Sequence, residues 1–139
     1  QAVKSPKIYF FDHGLINYRR QLYTLEQIKA SEQWGVIMEN IIVNNARSHF
    51  VNNPRPPALH FWRDYQDHEI DLVLSAADTI VPIEITVGNT ITRAKRLNFR
   101  AFFEAFPEAK RGYMVWGGDL EQFDSDGKSI IALPYWLWL

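Results

Sequence analysis

The sequence predicts a mixed α/β domain, a sheet flanked by helices, and three observations carry that expectation. Between about Glu32 and Phe50, Trp34, Ile37, Met38, Ile41 and Ile42 recur at spacings of three and four, which makes one apolar helix face. Three short strand-like runs follow between Ala58 and Val87, separated by turn signals. A second helical pattern and a further strand come next, and the order helix, three-strand meander, helix, strand belongs to a mixed layer architecture.

Taken in order, Ile8 to Phe11 is a short apolar run closed by Asp12-His13-Gly14, which reads as a turn. Thr24 to Ala30 has room for one or two helical turns. The long helix from Glu32 has Ser31 as its expected N-cap, and Glu32 suits the positive end of the helix dipole. Pro54, Pro56 and Pro57 impose a loop. From Ala58 to Tyr65, Leu59, Phe61 and Arg63 alternate against His60 and Trp62, as in a strand. His68 to Ser75 and the β-branched Thr79 to Val87 complete the meander. Thr92 to Phe106 aligns Phe99, Phe102, Phe103 and Phe106 on one helix face, which Pro107 ends. Arg111 to Trp116 is a strand, Gly117-Gly118 a turn, and Ile130 to Leu139 a final extended, aromatic-rich segment.

A chain of 139 residues with 47% hydrophobic content supports one compact domain with a real core, expected over residues 1–139. The formal charge of −1 gives no global attraction to phosphate, so nucleic-acid contact needs a local patch. The absence of cysteine excludes disulfides, thiolate metal sites and a cysteine nucleophile, and suits a cytoplasmic location. No apolar stretch reaches the roughly 18 residues of a membrane span, so no membrane partner is expected. The chain starts at Gln1, which leads to the expectation of a piece of a longer polypeptide. There is no HExxH spacing among His13, His49, His60 and His68, no Walker A motif, no dinucleotide fingerprint and no G-x-S-x-G.

Chemistry is suggested by carboxylates in apolar surroundings. Asp71 stands within Ile70-Asp71-Leu72-Val73-Leu74, Glu84 within Val81-Pro82-Ile83-Glu84-Ile85, and Glu39 interrupts the long helix. A buried carboxylate without a partner costs several kcal/mol or takes up a proton. Two on adjacent strands can converge on one face, and such hard oxygens suit Mg²⁺ or Mn²⁺, which needs only one or two of them. The alternative for each acid alone is the solvated face of a half-buried sheet.

Glu39, Glu69-Ile70-Asp71 and Pro82-Ile83-Glu84-Ile85-Thr86, in that order, resemble the PD-(D/E)XK nuclease superfamily with its restriction-endonuclease-like core. Lys7-Ile8-Tyr9-Phe10-Phe11-Asp12-His13-Gly14-Leu15, Phe61-Trp62-Arg63 and Pro82-Ile83-Glu84 resemble one branch of it. That branch is the domain of unknown function at the C-terminus of many prokaryotic AAA-type P-loop ATPases. The resemblance implies a divalent metal on Asp71, Glu84 and the Ile85 carbonyl, and a metal-bound water held by Glu39. It also implies an upstream ATPase domain as partner, DNA as a candidate ligand, and a lysine two residues after Glu84.

That position is Thr86, whose hydroxyl supplies no charge to a transition state. Arg93, Arg96 and Arg100 form one row on the second helix, with Lys95 off it; the row is either a relocated cation or a solvated face. Arg63 is a further candidate cation, or a partner for Glu69 or Asp71. Two readings follow: an accessory domain that is non-catalytic or impaired, in DNA binding or regulation, and a Mg-dependent DNA endonuclease with a relocated cation. The aromatic tail Tyr135 to Leu139 is expected to form an interface, with the neighbouring domain or in a homodimer.

Overall fold

The computed structural model describes residues 6–139; Gln1 lies outside them. The elements are α1 (His13–Arg19), α2 (Leu25–Ala30), α3 (Trp34–Phe50), β1 (Ala58–Arg63), β2 (Glu69–Ala76), β3 (Thr79–Ile85), α4 (Arg93–Ala105), β4 (Arg111–Trp116), β5 (Glu121–Ser125), β6 (Lys128–Pro134) and α5 (Tyr135–Trp138). Six strands form one mixed sheet in the order β1-β2-β3-β4-β6-β5. The meander is antiparallel, β3 pairs with β4 and β4 with β6 in parallel, and β5 closes the far edge antiparallel to β6. The fold class is therefore the expected mixed α/β sheet with flanking helices.

The two sheet faces are covered by different helices. On one, Phe99, Phe102 and Phe103 of α4 pack with Ile70, Met114, Trp116, Ile130 and Ala132. On the other, Met38, Ile42, Val43 and Ala46 of α3 pack with Leu72, Ile83, Ile85 and Val115. Strand alternation sends Ile83 and Ile85 to the α3 face, which leaves Glu84 on the α4 face. Gly112 is required on β4, because an added Cβ would stand 2.8 Å from the Phe99 ring and 2.9 Å from Ile130.

Three local expectations are corrected, and one further strand, β5, was not expected. Asp12-His13-Gly14 begins a helix: the Asp12 carboxylate accepts from the Leu15 amide and caps α1. Ser31 closes α2, its backbone N–H bonded to Ile28, and α3 starts at Trp34 after Gln33. The edge strand β5 has no apolar alternation, and its hairpin to β6 turns at Asp126 and Gly127, both with positive φ. The tail is not extended: after Pro134 it coils into α5, with Tyr135 edge-on to Trp34 at 6.4 Å and the Trp138 indole donating to the Ile42 carbonyl.

A bulge matters most for function. His60 pairs with Val73 and Trp62 with Ile70, so β1 advances two residues while β2 advances three. The extra residue lies in the Asp71–Leu72 stretch. Bulges re-aim side chains, and here Ile70 and Val73 both reach the α4 side while Leu72 reaches the α3 side. Asp71 is left between the two faces.

Candidate functional site

Asp71 meets cations from both sides of the sheet. Its Oδ1 lies 3.5 Å from Lys7 Nζ, and its Oδ2 lies 3.7 Å from Lys95 Nζ and accepts from the Ile85 amide at 2.9 Å. Lys7 comes from the segment before α1, and Lys95 from the first turn of α4. The backbone bond from Ile85 ties the bulged β2 to the end of β3 and fixes the carboxylate beside Glu84.

Glu84 is fully buried, and both its oxygens are engaged. Lys95 Nζ donates to Oε2 at 2.5 Å and Asn98 Nδ2 to Oε1 at 2.6 Å. Lys95 and Asn98 stand at i, i+3, so one face of α4 supplies both donors. Burial pushes the Glu84 carboxyl up to about 8; the adjacent Asp71 charge adds to this and Lys95 offsets only part of it. For Lys95, burial pulls the ammonium down, but the Glu84 and Asp71 charges outweigh it and its pKa is raised.

Glu39 projects from α3 and accepts from Lys7 Nζ and from the Tyr9 hydroxyl, both at 2.9 Å. Lys7 also pairs with Glu69 at 2.5 Å. Burial lowers the Lys7 pKa less than its bonds to Glu69 and Glu39 and the Asp71 charge raise it, so its proton is held firmly. Burial and the Glu39 charge raise Tyr9, which stays a phenol donor. Arg63 contacts the same group from β1, with Nε 3.7 Å from Glu69.

Glu39, Asp71 and Glu84 are thus brought to one centre, joined through Lys7 and Lys95. Arg93 and Arg96 are not: both are exposed, and the Arg96 guanidinium lies 4.6 Å over the Phe123 ring. The physical reason is helix phase: their row lies on the flank of α4 toward β5, where Arg96 meets Phe123, and not on the side turned to Glu84. Arg100 is likewise exposed and pairs with Glu104 and Asp126. Thr86 turns its hydroxyl to the Gly88 amide at 3.4 Å. Lys95 was legible in part: it precedes Phe99 by four residues and Phe102 by seven, as on the buried face, although Arg96 precedes Phe99 by three and Phe103 by seven. The role of Lys7 had no comparable signal, because it depends on a contact across 64 residues.

The donor set suits a divalent cation in part. Asp71 and Glu84 share the Lys95 ammonium, so their oxygens converge on a point that a cation already serves. Four carboxyl groups, Glu39, Glu69, Asp71 and Glu84, face two lysines. Among the described residues no group of three or more His, Cys, Asp or Glu forms a ready metal cage. A site of two carboxylates completed by water and phosphate fits Mg²⁺ or Mn²⁺; an all-protein cage is absent from the described residues. Among the described residues no helix is long and apolar enough to cross a membrane.

Compared with known proteins, the profile of a domain of unknown function, DUF4143, matches residues 34–136. The matched span contains Glu39, Asp71, Glu84 and Lys95 and leaves Lys7 outside. No curated protein matches the chain.

Proposed function

Because the chain belongs to the DUF4143 family, whose own activity is not defined, we propose from the site that it is a metal-dependent phosphodiesterase domain acting on DNA. Its motif lysine is supplied by α4 as Lys95. The observation that carries this reading is the Lys95 ammonium, 2.5 Å from Glu84 and 3.7 Å from Asp71. In the PD-(D/E)XK pattern that the motifs resemble, a lysine follows the second acid on the same strand. Thr86 occupies that position here, and a lysine reaching in from the next helix delivers the same charge to the same pair.

Asp71 and Glu84 would hold the divalent ion, with the Ile85 carbonyl as a third ligand. Bound there, the ion supplies Lewis-acid polarisation of a phosphoryl oxygen and lowers the pKa of water. Lys95 places positive charge beside the reacting phosphate, where preorganised charge counts most. Glu39 orients the attacking water and accepts its proton. The Ile85 amide fixes Asp71, and Asn98 fixes Glu84, so neither carboxylate must reorganise.

A second reading has its own support: Lys7 and Lys95 already neutralise much of the acidic charge without metal. On that reading the domain is a scaffold in DNA binding or regulation. In both, it is an accessory domain of a longer ATPase-associated protein, with the upstream ATPase domain as partner. Calorimetric titration of Mg²⁺ and Mn²⁺ into wild type and Asp71→Ala separates the two. Binding that is lost in the variant supports the enzyme, and its absence in wild type refutes it.

A further inference from the structure

Lys7 occupies the place where the acids most need a cation. Its Nζ is shared by Glu39, Glu69 and Asp71 at 2.9, 2.5 and 3.5 Å, although it belongs to none of the sheet strands or flanking helices. It is carried by an extended segment laid over α3. Phe10 pins that segment by its backbone: its N–H donates to Asn40 Oδ1 at 2.8 Å, and its carbonyl accepts from Asn40 and Asn44 at 2.8 and 2.6 Å. Asn40 and Asn44 are buried at i, i+4 on α3, and Asn40 directly follows Glu39. The Tyr9 hydroxyl adds a bond to Glu39.

Most of what holds this segment is polar. Ile8 is 77% exposed, Phe10 57% and Phe11 63%, and Tyr9 is the side chain of the segment that packs against the α3-side core. Lifting it therefore forfeits mainly the burial of one ring, and segments with few buried apolar contacts open at low cost. It also divides a groove. Lys7 and Tyr9 line a cavity of about 260 Å³ toward α1, with Asn17 and Arg20, and another of about 420 Å³ toward β1, with Arg47, Phe61 and Asp71. Removal of the segment would join the two into one trough running past Glu39 and Asp71.

We propose that residues 7–11 are an autoinhibitory strap, and that the Lys7 ammonium is a tethered cation competing with the divalent metal for Asp71 and with its bound water for Glu39. The inference rests on the metal-dependent reading of the site. Strap down, the centre is neutralised from within and its groove is interrupted. Strap lifted, Glu39, Glu69 and Asp71 lose the Lys7 charge, with Lys95 still beside Asp71 and Arg63 beside Glu69, and the groove opens to a nucleic-acid backbone. Metal and lysine exclude each other because the ammonium lies against Asp71 Oδ1 and on the Glu39 oxygen that would hold the water. The apparent metal affinity of wild type is therefore reduced by the fraction of molecules with the strap lifted.

The test is Mn²⁺ binding to the full chain by calorimetry, in wild type, Lys7→Met, Lys7→Arg and Asp71→Ala, with hydrogen exchange at the Phe10 amide as an independent readout. Lys7→Met should bind Mn²⁺ about tenfold more tightly than wild type, whereas Lys7→Arg, which keeps the charge, should not. Saturating Mn²⁺ should accelerate exchange of the Phe10 amide in wild type, because its bond to Asn40 is broken when the strap lifts. Equal or weaker binding by Lys7→Met, with binding still lost in Asp71→Ala, overturns the strap and leaves the metal-dependent reading standing. An unchanged Phe10 amide at saturation overturns it too. Absence of binding in both wild type and Lys7→Met overturns both.

Discussion

Replacing Glu84 by Gln should alter how stability depends on pH, and the size of the effect follows from where the side chain sits. Glu84 is 0% exposed and lies against Asp71, with Lys95 as its compensating charge. Its carboxyl is pushed from 4.5 to about 8 in the folded protein, while the unfolded chain leaves it at its ordinary value. The folded pKa is raised, so the contribution of this group is fully present below about pH 4.5 and is lost as pH rises toward 8. Between those limits the unfolded chain has released one proton that the folded protein retains. Stability then falls by at most about 1.4 kcal/mol per pH unit from this group alone. Gln titrates nowhere in this range. It offers one acceptor to two donors, which Asn98 can accommodate by turning its amide over, so the variant should fold. The assay is urea denaturation of both proteins at pH 5, 6, 7, 8 and 9. The wild-type minus variant difference should decline steadily to about pH 8 and then flatten. Parallel curves would mean that Lys95 keeps Glu84 ionised throughout and would refute the reasoning.

Two further outcomes follow from the placement of α4. Arg93→Ala and Arg96→Ala should each change metal-dependent cleavage by less than about threefold, since their side chains leave the acidic centre; a loss as large as that caused by removing Lys95 would restore the arginine row as the cation source. Phe102→Ala should cost about 3–5 kcal/mol in urea denaturation, because the ring is fully buried between Trp62, Phe103 and Phe106. A cost under about 1 kcal/mol would mean that α4 does not seal that face of the sheet.

The parts of the fold that were legible in the sequence are those where burial imposes a period. The meander strands and β4 are apolar enough for alternation to show, and α4 carries four phenylalanines on one face. The edge strand β5 was hidden because Glu121-Gln122-Phe123-Asp124-Ser125 buries only one residue, although Asp126-Gly127 was a hairpin signal. Helix α1 was hidden because none of its residues is buried, so only the Asp12 cap announces it. At the site, Asp71 and Glu84 stood out as charges in apolar runs. The bulge that turns Asp71 toward both faces is a property of pairing with β1, which no local pattern encodes. Lys95 was set aside as lying off the row of three arginines, and spacing alone did not separate it from Arg96, which also stands three residues before Phe99 and seven before Phe103. Lys7 reaches the centre only through tertiary contact.

The central claim is that Lys95 completes a metal-dependent phosphodiesterase centre with Asp71 and Glu84, and plasmid nicking by wild type and Lys95→Met tests it most directly. With Mn²⁺ binding by both proteins measured under the same conditions, wild type should nick the plasmid only when metal is present. Lys95→Met should bind the ion yet lose about 10²–10³ in rate, as expected when a preorganised charge is removed from a transition state. A metal-saturated wild type that leaves the plasmid intact, or a Lys95→Met variant as active as wild type, would contradict the account.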